Sequence, residues 1–240
     1  MLPGQIVYEG KTKSIIETKN PLIVIQYFKD DVTALNKKKH EIIEGKGIIN
    51  NLISAFIMRK LKKMGIATHF IKTLNKREQL VKKLKIIPLE IVVRNVAAGS
   101  FCKRFNIKEG KRLVPPIIEL FYKDDNLSDP MVNENHVTYF GWLSCQEIEE
   151  IKIISLEINK FLIDLFFNVV IDLIDIKLEF GRLMSNSTKL ILADEISPDN
   201  CRLWDIDTHK KLDKDVFRLS LGDLKEAYLE IAKRLSLKLI

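Results

Sequence analysis

The chain has 240 residues, with 39 Lys+Arg against 32 Asp+Glu and a formal net charge of +7. An apolar fraction of 46% with 30% charged residues suits a packed core and excludes a disordered chain, and the length predicts one large domain or two small lobes. The most apolar stretch, Phe161–Ile174, is broken by Asp164, Asn168 and Asp172, and Met1-Leu2-Pro3-Gly4 has no basic leader, so neither a membrane span nor a secretory signal is expected.

The first third reads as strand. Gln5–Tyr8, Ser14–Thr18 and Leu22–Phe28 are β-branched or aromatic runs, the last two parted by the turn Lys19-Asn20-Pro21, and they predict a twisted antiparallel sheet. After Gly47, apolar residues at Ile48, Ile49, Leu52, Ile53, Phe56, Ile57, Leu61 and Met64 recur at helical spacing until Gly65. Strands resume at Thr68–Lys72, Gln79–Lys85 and Leu89–Asn95. Pro88 marks a hinge between a β-rich N-terminal lobe, residues 1–87, and an α+β lobe, residues 88–240. Ser144-Cys145-Gln146-Glu147 is a capping box that opens a helix to about Phe167, and a second cap, Ser220 to Asp223, opens the C-terminal helix. Between them, Ile171–Phe180 and Lys189–Ile196, joined by Ser185-Asn186-Ser187, predict an antiparallel hairpin.

The runs Lys37-Lys38-Lys39, Lys60-Lys62-Lys63 and Lys82-Lys83-Lys85 lack interleaved aromatics. They read as solvated faces rather than a nucleic-acid surface, which leaves a small polyanionic substrate as the use for the positive charge. Cys102, Cys145 and Cys201 are far apart and odd in number, the pattern of reduced thiols in a cytoplasmic protein. The four histidines, His40, His69, His136 and His209, have no triad or metal spacing.

The hairpin carries the most chemistry. In Ile174-Asp175-Ile176-Lys177-Leu178-Glu179-Phe180 the alternation is strict, so Asp175, Lys177 and Glu179 share one face. With the turn centred on Asn186 and Ser187, Glu179 falls opposite Asp194. Two readings stay open: carboxylates gathered for Mg2+, which takes one or two carboxylates together with substrate phosphates, or charges facing solvent beside Lys177. In Tyr8-Glu9-Gly10-Lys11-Thr12-Lys13, the distance from Gly4 and the strand that follows disfavour a strand-loop-helix phosphate cradle. A glycine turn approached by nucleotide phosphates, with Lys11 and Lys13 as charge partners, and a plain hairpin tip both remain. Arg94 to Ser100 precedes Phe101–Phe105, a short helix whose first amides, with Arg94 and Ser100, suit a phosphate, although Arg94 paired with an acid is the alternative. Ser197-Pro198-Asp199-Asn200 follows the hairpin and brings Arg202 close to the carboxylates, or is an ordinary turn.

Together these blocks resemble the SAICAR synthetase family of purine biosynthesis. The resemblance runs over almost the whole chain, through Tyr8–Lys13, Gly45-Lys46-Gly47 with Asn50-Asn51, Glu90–Ser100, Pro115–Val137, Asp175–Gly181, Asp194–Asp205 and Asp215–Arg218. Ile176 stands where the family often has Phe, and Lys37 where Gly is frequent after Asn36. The resemblance implies an α+β, two-lobe fold similar to the ATP-grasp and kinase-like arrangement, with antiparallel sheets and nucleotide between the lobes. It also implies a cytoplasmic homodimer that uses ATP and Mg2+ to join L-aspartate to the carboxylate of carboxyaminoimidazole ribotide, giving SAICAR, ADP and phosphate through an acyl phosphate.

By matching motifs, Gly10, Lys11, Lys13 and Lys123 would hold ATP phosphates, and Glu179 and Asp194 would hold Mg2+. Arg94, Ser100 and Arg202 would take the ribotide phosphate, with Glu90, Asp129 and Arg218 also on substrate. Asp175 and Lys177 would line the reacting carboxylate. Such a site needs cations and in-line positioning rather than a nucleophilic Ser or Cys. The resemblance leaves the aspartate pocket unassigned. Two alternatives stay in view: a small-molecule kinase, which would give a phosphorylated product without an amide, and a basic nucleic-acid-binding protein, which would bind arbitrary DNA in a salt-sensitive way.

Overall fold

The computed structural model describes residues 4–34, 39–184 and 186–238. The expectations placed on Met1, Leu2, Pro3, Asn36, Lys37, Lys38 and Ser185 lie outside the described residues. The β-branched runs at the start of the chain form β1 (Ile6–Glu9), β2 (Lys13–Glu17) and β3 (Ile23–Phe28). A short hairpin, β4 (Asp31–Ala34) with β5 (Lys39–Ile42), leads into helix α1 (Lys46–Lys63). Strands β6 (Phe70–Thr73) and β7 (Glu78–Lys82) complete a five-stranded antiparallel sheet in the order β1-β2-β3-β7-β6. Along β3 the side chains of Val24, Gln26 and Phe28 are buried and those between are not, the period-2 signature of a half-covered sheet.

The start of α1 is pressed onto the end of β3. A Cβ on Gly47 would lie 2.4 Å from the Phe28 carbonyl oxygen, so only glycine fits there. The free amides at this end are met by Asp30, which accepts from the N–H of Gly45 at 3.1 Å and of Gly47 at 2.9 Å while holding both Nη atoms of Arg77 at 2.7 Å.

The second sheet is built around two long strands. β8 (Leu84–Val96) is followed by α2 (Ser100–Phe105), β9 (Arg112–Tyr122), β10 (Met131–Val132) and the helices α3 (Glu134–Tyr139) and α4 (Cys145–Phe167). Then come β11 (Ile171–Leu183), β12 (Asn186–Leu192), β13 (Cys201–Asp205), α5 (Asp215–Arg218) and α6 (Leu224–Arg234). The order is β10-β9-β8-β11-β12, and β13 pairs with the first half of β11 on the side away from β8. The chain is therefore α+β with antiparallel sheets in two lobes. One continuous cluster of buried apolar residues, including Ile53 of α1, Val93 of β8, Leu162 of α4, Leu178 of β11 and Tyr228 of α6, unites them.

Four expectations need correction. Pro88 is inside β8, not at a break: Ile86 faces Gly181 and Glu90 faces Glu179, so three residues of β8 oppose one of β11, and the proline sits in that bulge, where its missing N–H is tolerated. The strand expected over Gln79–Lys85 ends at Lys82. The cap of α6 is Asp223, which accepts from Lys225 N at 2.7 Å and Glu226 N at 3.1 Å, whereas Ser220 lies in the left-handed region at φ 55°. In the β11–β12 ladder, Phe180 pairs with Leu192 and Leu183 with Asn186, so the ladder does not turn about Asn186 and Ser187, and Glu179 lies beside Ala193, whose N–H donates to its carbonyl at 2.9 Å. The Ser144 capping box is present as read, with Glu147 N bonded to Ser144 Oγ at 3.2 Å and Ser144 N to Glu147 Oε2 at 2.8 Å.

Candidate active site

The face of β11 that the alternation sets apart is where the chain gathers its charges. Ile174, Ile176, Leu178 and Phe180 are at most 1% exposed, which turns Asp175, Lys177 and Glu179 the other way.

At one end of the strand is an arginine–carboxylate network. Asp175 Oδ2 accepts from Arg94 Nη1 at 2.9 Å, across the β8 ladder, and from Arg202 Nη1 at 2.8 Å, across the β13 ladder. Arg94 Nε is bonded to Glu119 on β9 at 2.6 Å, and its Nη2 reaches Ser100 Oγ at 3.5 Å. Arg202 Nε is bonded to Asp215 Oδ2 at 2.9 Å, and Asp215 Oδ1 takes Arg218 Nη1 at 2.5 Å. Burial favours a neutral Asp215, yet Arg202 and Arg218 outweigh it and bring its carboxyl down to about 2. Burial also opposes the Arg202 charge, and Asp175 and Asp215 more than restore it. Gly99 backs directly onto this arginine: at φ 55°, a Cβ there would meet Arg202 Nη2 at 2.4 Å.

At the other end, lysines and carboxylates alternate. Lys177 Nζ is paired with Glu90 and lies 3.8 Å from Glu179 Oε1. Lys123 Nζ is bonded to Glu179 Oε2. Lys13, from the first sheet, is paired with Asp194 and with Glu195 Oε1 at 2.6 Å. Asp194 lies just past the β12 ladder at φ 58°, which breaks the strand alternation and lets its carboxylate join Glu179 despite the shifted register. Its carbonyl accepts from Gln26 Nε2 at 3.4 Å. Burial and the neighbouring Asp194 push the Glu179 carboxyl up, against Lys177 and Lys123; for Asp194, burial is outweighed by Lys13, Lys123 and Lys177, which bring it down to about 2. Lys13 and Lys177 keep their charge: burial opposes it, and the surrounding carboxylates raise both above the ordinary lysine value. His69, sealed behind Asp194, is pushed by burial down to about 4 and is neutral.

The remaining expected residues lie at the rim. Gly10 is in the β1–β2 turn, closed by its N–H to the Lys13 carbonyl at 2.8 Å. Lys11 Nζ reaches Asp125 at 2.6 Å. Asp129, at φ 49°, accepts from Asp124 N at 3.0 Å, and burial together with Glu90 raises its carboxyl.

Sequence reasoning passed over Glu119, Glu195 and Asp215, each of which neutralises a site cation. Glu119 had a signal: it is the lone acid in the run Arg112–Tyr122 that forms β9, and it is buried. The turn after β12 rests on a further ion pair: fully buried Lys46 is bonded to Asp199 Oδ2 at 2.5 Å, joined by Asn50 Nδ2 at 2.9 Å and, on Oδ1, by Tyr228 OH at 2.7 Å. That turn carries Asn200, whose carbonyl accepts from Lys177 N at 2.9 Å.

The family profile of SAICAR synthetase matches residues 6–235, nearly the full chain. The chain belongs to the SAICAR synthetase family. It is thus an ATP-dependent, amide-forming ligase of purine biosynthesis, and neither a kinase nor a nucleic-acid-binding protein is favoured. A phosphoribosylaminoimidazole-succinocarboxamide synthase of Wolbachia sp. subsp. Brugia malayi (strain TRS) is 75% identical over 239 residues, covering 100% of both chains. The crystal structure of the Ehrlichia chaffeensis synthase superposes with a TM-score of 0.96 at 59% identity, over 98% of this chain and 99% of that one. A type-2 SAICAR synthetase solved in complex with ADP has a TM-score of 0.92 at 46% identity, over 95% and 97% of the two chains. Among the described residues, no helix is long and apolar enough to cross a membrane.

Proposed function

We propose that this site joins L-aspartate to the carboxylate of carboxyaminoimidazole ribotide, with ATP cleaved to ADP and phosphate. The observation that carries the reading is that two cationic clusters stand on one face of β11, around Asp175 and around Glu179. Four residue steps along the strand separate Asp175 from Glu179, roughly 13 Å at 3.3 Å per residue. A substrate with a phosphate at one end and a carboxylate at the other matches that pattern.

Arg94, Arg202 and Arg218, with Ser100, suit the ribotide phosphate, because a guanidinium offers paired donors in the geometry of phosphate oxygens. Their own acids hold them in place, so the end that receives the phosphate is preorganised. Lys177, beside Glu90, suits the substrate carboxylate. Lys13, Lys11 and Lys123, with the Gly10 turn, suit the nucleotide phosphates. A carboxylate oxygen of the ribotide then attacks the γ-phosphorus and ADP leaves. The aspartate amine attacks the resulting acyl phosphate, phosphate departs, and the amine proton is lost. The protein's share is to align the three reactants and to neutralise the oxygens that gather charge.

Glu179 and Asp194 fit Mg2+. Both are buried carboxylates that repel each other and are balanced here only by lysines, and among the described residues no third acid, His or Cys joins them in a metal cluster. That leaves room for the water and phosphate oxygens Mg2+ prefers, and the ion would neutralise phosphate charge there. The reading extends to a cytoplasmic homodimer, whose second half sedimentation of the purified chain checks. The direct test is incubation with ATP, Mg2+, the carboxylated ribotide and aspartate, followed by mass analysis. Succinocarboxamide, ADP and phosphate in equal amounts are expected, and a phosphorylated ribotide with no amide would overturn the reading.

A further inference from the structure

Among the described residues, the cations around the site are ion-paired with one exception. Lys13, Lys46, Lys123, Lys177, Arg202 and Arg218 are each ion-paired with a carboxylate. Lys214 is not: among the described residues its Nζ has no hydrogen-bond or ion-pair partner. The residue immediately precedes α5, tied by its own N–H to the Pro198 carbonyl at 3.2 Å, and Arg218 follows one helical turn later, its N–H on the Lys214 carbonyl at 3.0 Å. It is half-buried, and its Nζ still reaches solvent. The charges that act on it come from four elements: Asp199 in the turn after β12, Arg218 on α5, Lys46 on α1 and Lys177 on β11. Its ammonium therefore feels charges of both the arginine network and the lysine cluster and has no carboxylate paired with it.

We propose that Lys214 Nζ receives a carboxylate of the amino-acid substrate. The inference rests on the ligase reading above, in which the ribotide already has an arginine set for its phosphate and Lys177 for its carboxylate. Of the charges the substrates bring, those of aspartate's two carboxylates then lack a partner. A single ammonium suits a carboxylate as a point charge, whereas a phosphate at this place would call for a fork of donors such as Arg218 and Arg202 provide next door. The environment agrees: burial first, then Arg218, Lys46 and Lys177, lower Lys214 to about 8 against the opposing pull of Asp199, so the free site holds a cation that an arriving anion stabilises.

The test is steady-state kinetics of Lys214→Met and Lys214→Arg beside the wild type, with ribotide and ATP affinities measured separately by titration. Lys214→Met should raise the aspartate KM by about 10- to 100-fold, the loss of one charge-assisted hydrogen bond, with ribotide and ATP binding and the melting temperature little changed. Lys214→Arg should keep the aspartate KM within several-fold. In the wild type that KM should climb above about pH 8, as Lys214 loses its charge, by up to about tenfold per unit. In the arginine variant this climb should vanish, because guanidinium stays protonated. Weakened ribotide binding with an unchanged aspartate KM would overturn the assignment. So would loss of kcat at saturating aspartate in both variants with KM unchanged, which would make Lys214 a proton-transfer group. A wild type that forms no amide from these substrates would sink the functional reading itself, whereas an active wild type with an unaffected Lys214→Met variant would sink only the role of Lys214.

Discussion

Asp175→Asn tests whether the arginine end of the site is held together by one carboxylate. The Asp175 side chain is 6% exposed, and its Oδ2 bonds Arg94 Nη1 at 2.9 Å and Arg202 Nη1 at 2.8 Å. Two guanidinium nitrogens on one oxygen lie within about 6 Å of each other, where unit charges repel by roughly 3 kcal/mol at an effective dielectric near 20. The amide oxygen of Asn can still accept a hydrogen bond, but it no longer screens that repulsion, while Glu119 and Asp215 keep each arginine singly paired. The expected destabilisation is about 3 kcal/mol, at the lower edge of the cost of breaking a buried ion pair. For a chain of this length that corresponds to a melting temperature lower by about 6–12 °C. Scanning calorimetry reads it directly, and inorganic phosphate should recover more of the loss in the variant than it adds to the wild type, by replacing the missing charge. A variant that melts within a degree or two of the wild type, and gains no more from phosphate, would refute the account.

Glu179→Gln and Asp194→Asn should each cut turnover by on the order of a hundredfold or more while the protein still folds, since Asn tolerates the left-handed backbone at position 194; turnover measured across Mg2+ concentrations checks this, and near-normal rates at limiting Mg2+ would remove both from the metal site. Arg202→Lys should weaken ribotide binding with little change for ATP, because one ammonium cannot hold both Asp175 and Asp215 in the geometry the guanidinium does. Gly99→Ala should do the same from behind, by driving a methyl to within 2.4 Å of Arg202 Nη2 at a backbone angle of φ 55°; calorimetric titration of both ligands separates the outcomes. Asp194 and Asp215 fold to about 2 from an unfolded value near 3.9, so their stabilising contribution is complete above that value and drains as pH falls toward 2. Denaturant unfolding of Asp215→Asn should accordingly show a flatter acid limb between about pH 5 and 2 than the wild type.

What was legible follows from local rules. Alternation set apart Asp175, Lys177 and Glu179, and the Ser144 box marked the start of α4, because both signals depend on neighbours in sequence. The position of Asp194 escaped by one residue, since a bulge between Arg182 and Leu183 shifts the ladder. A proline between two apolar runs suggests a hinge at Pro88, and only the partner strand reveals the bulge that accommodates it. Strand β13, five residues with a period-2 burial pattern, was hidden behind the turn signal Ser197-Pro198-Asp199-Asn200. Which acid neutralises which base was beyond reach: Arg94 meets Glu119 and Asp175 from strands 25 and 81 residues away, and no local pattern encodes such a meeting.

The fully buried Lys46 and its partner Asp199 bear on how this protein can change over time. Removing either partner strands a charge away from water, at a cost of about 3–5 kcal/mol. Exchanging both for apolar residues would still orphan the donors of Asn50 and Tyr228, which meet on the same carboxylate. Drift by single steps is therefore blocked at four positions on three separate segments: α1, the turn after β12, and α6. The passage from Asp199 through Asn200 to Arg202 should descend through lineages as a unit, tied to buried residues far off in the chain.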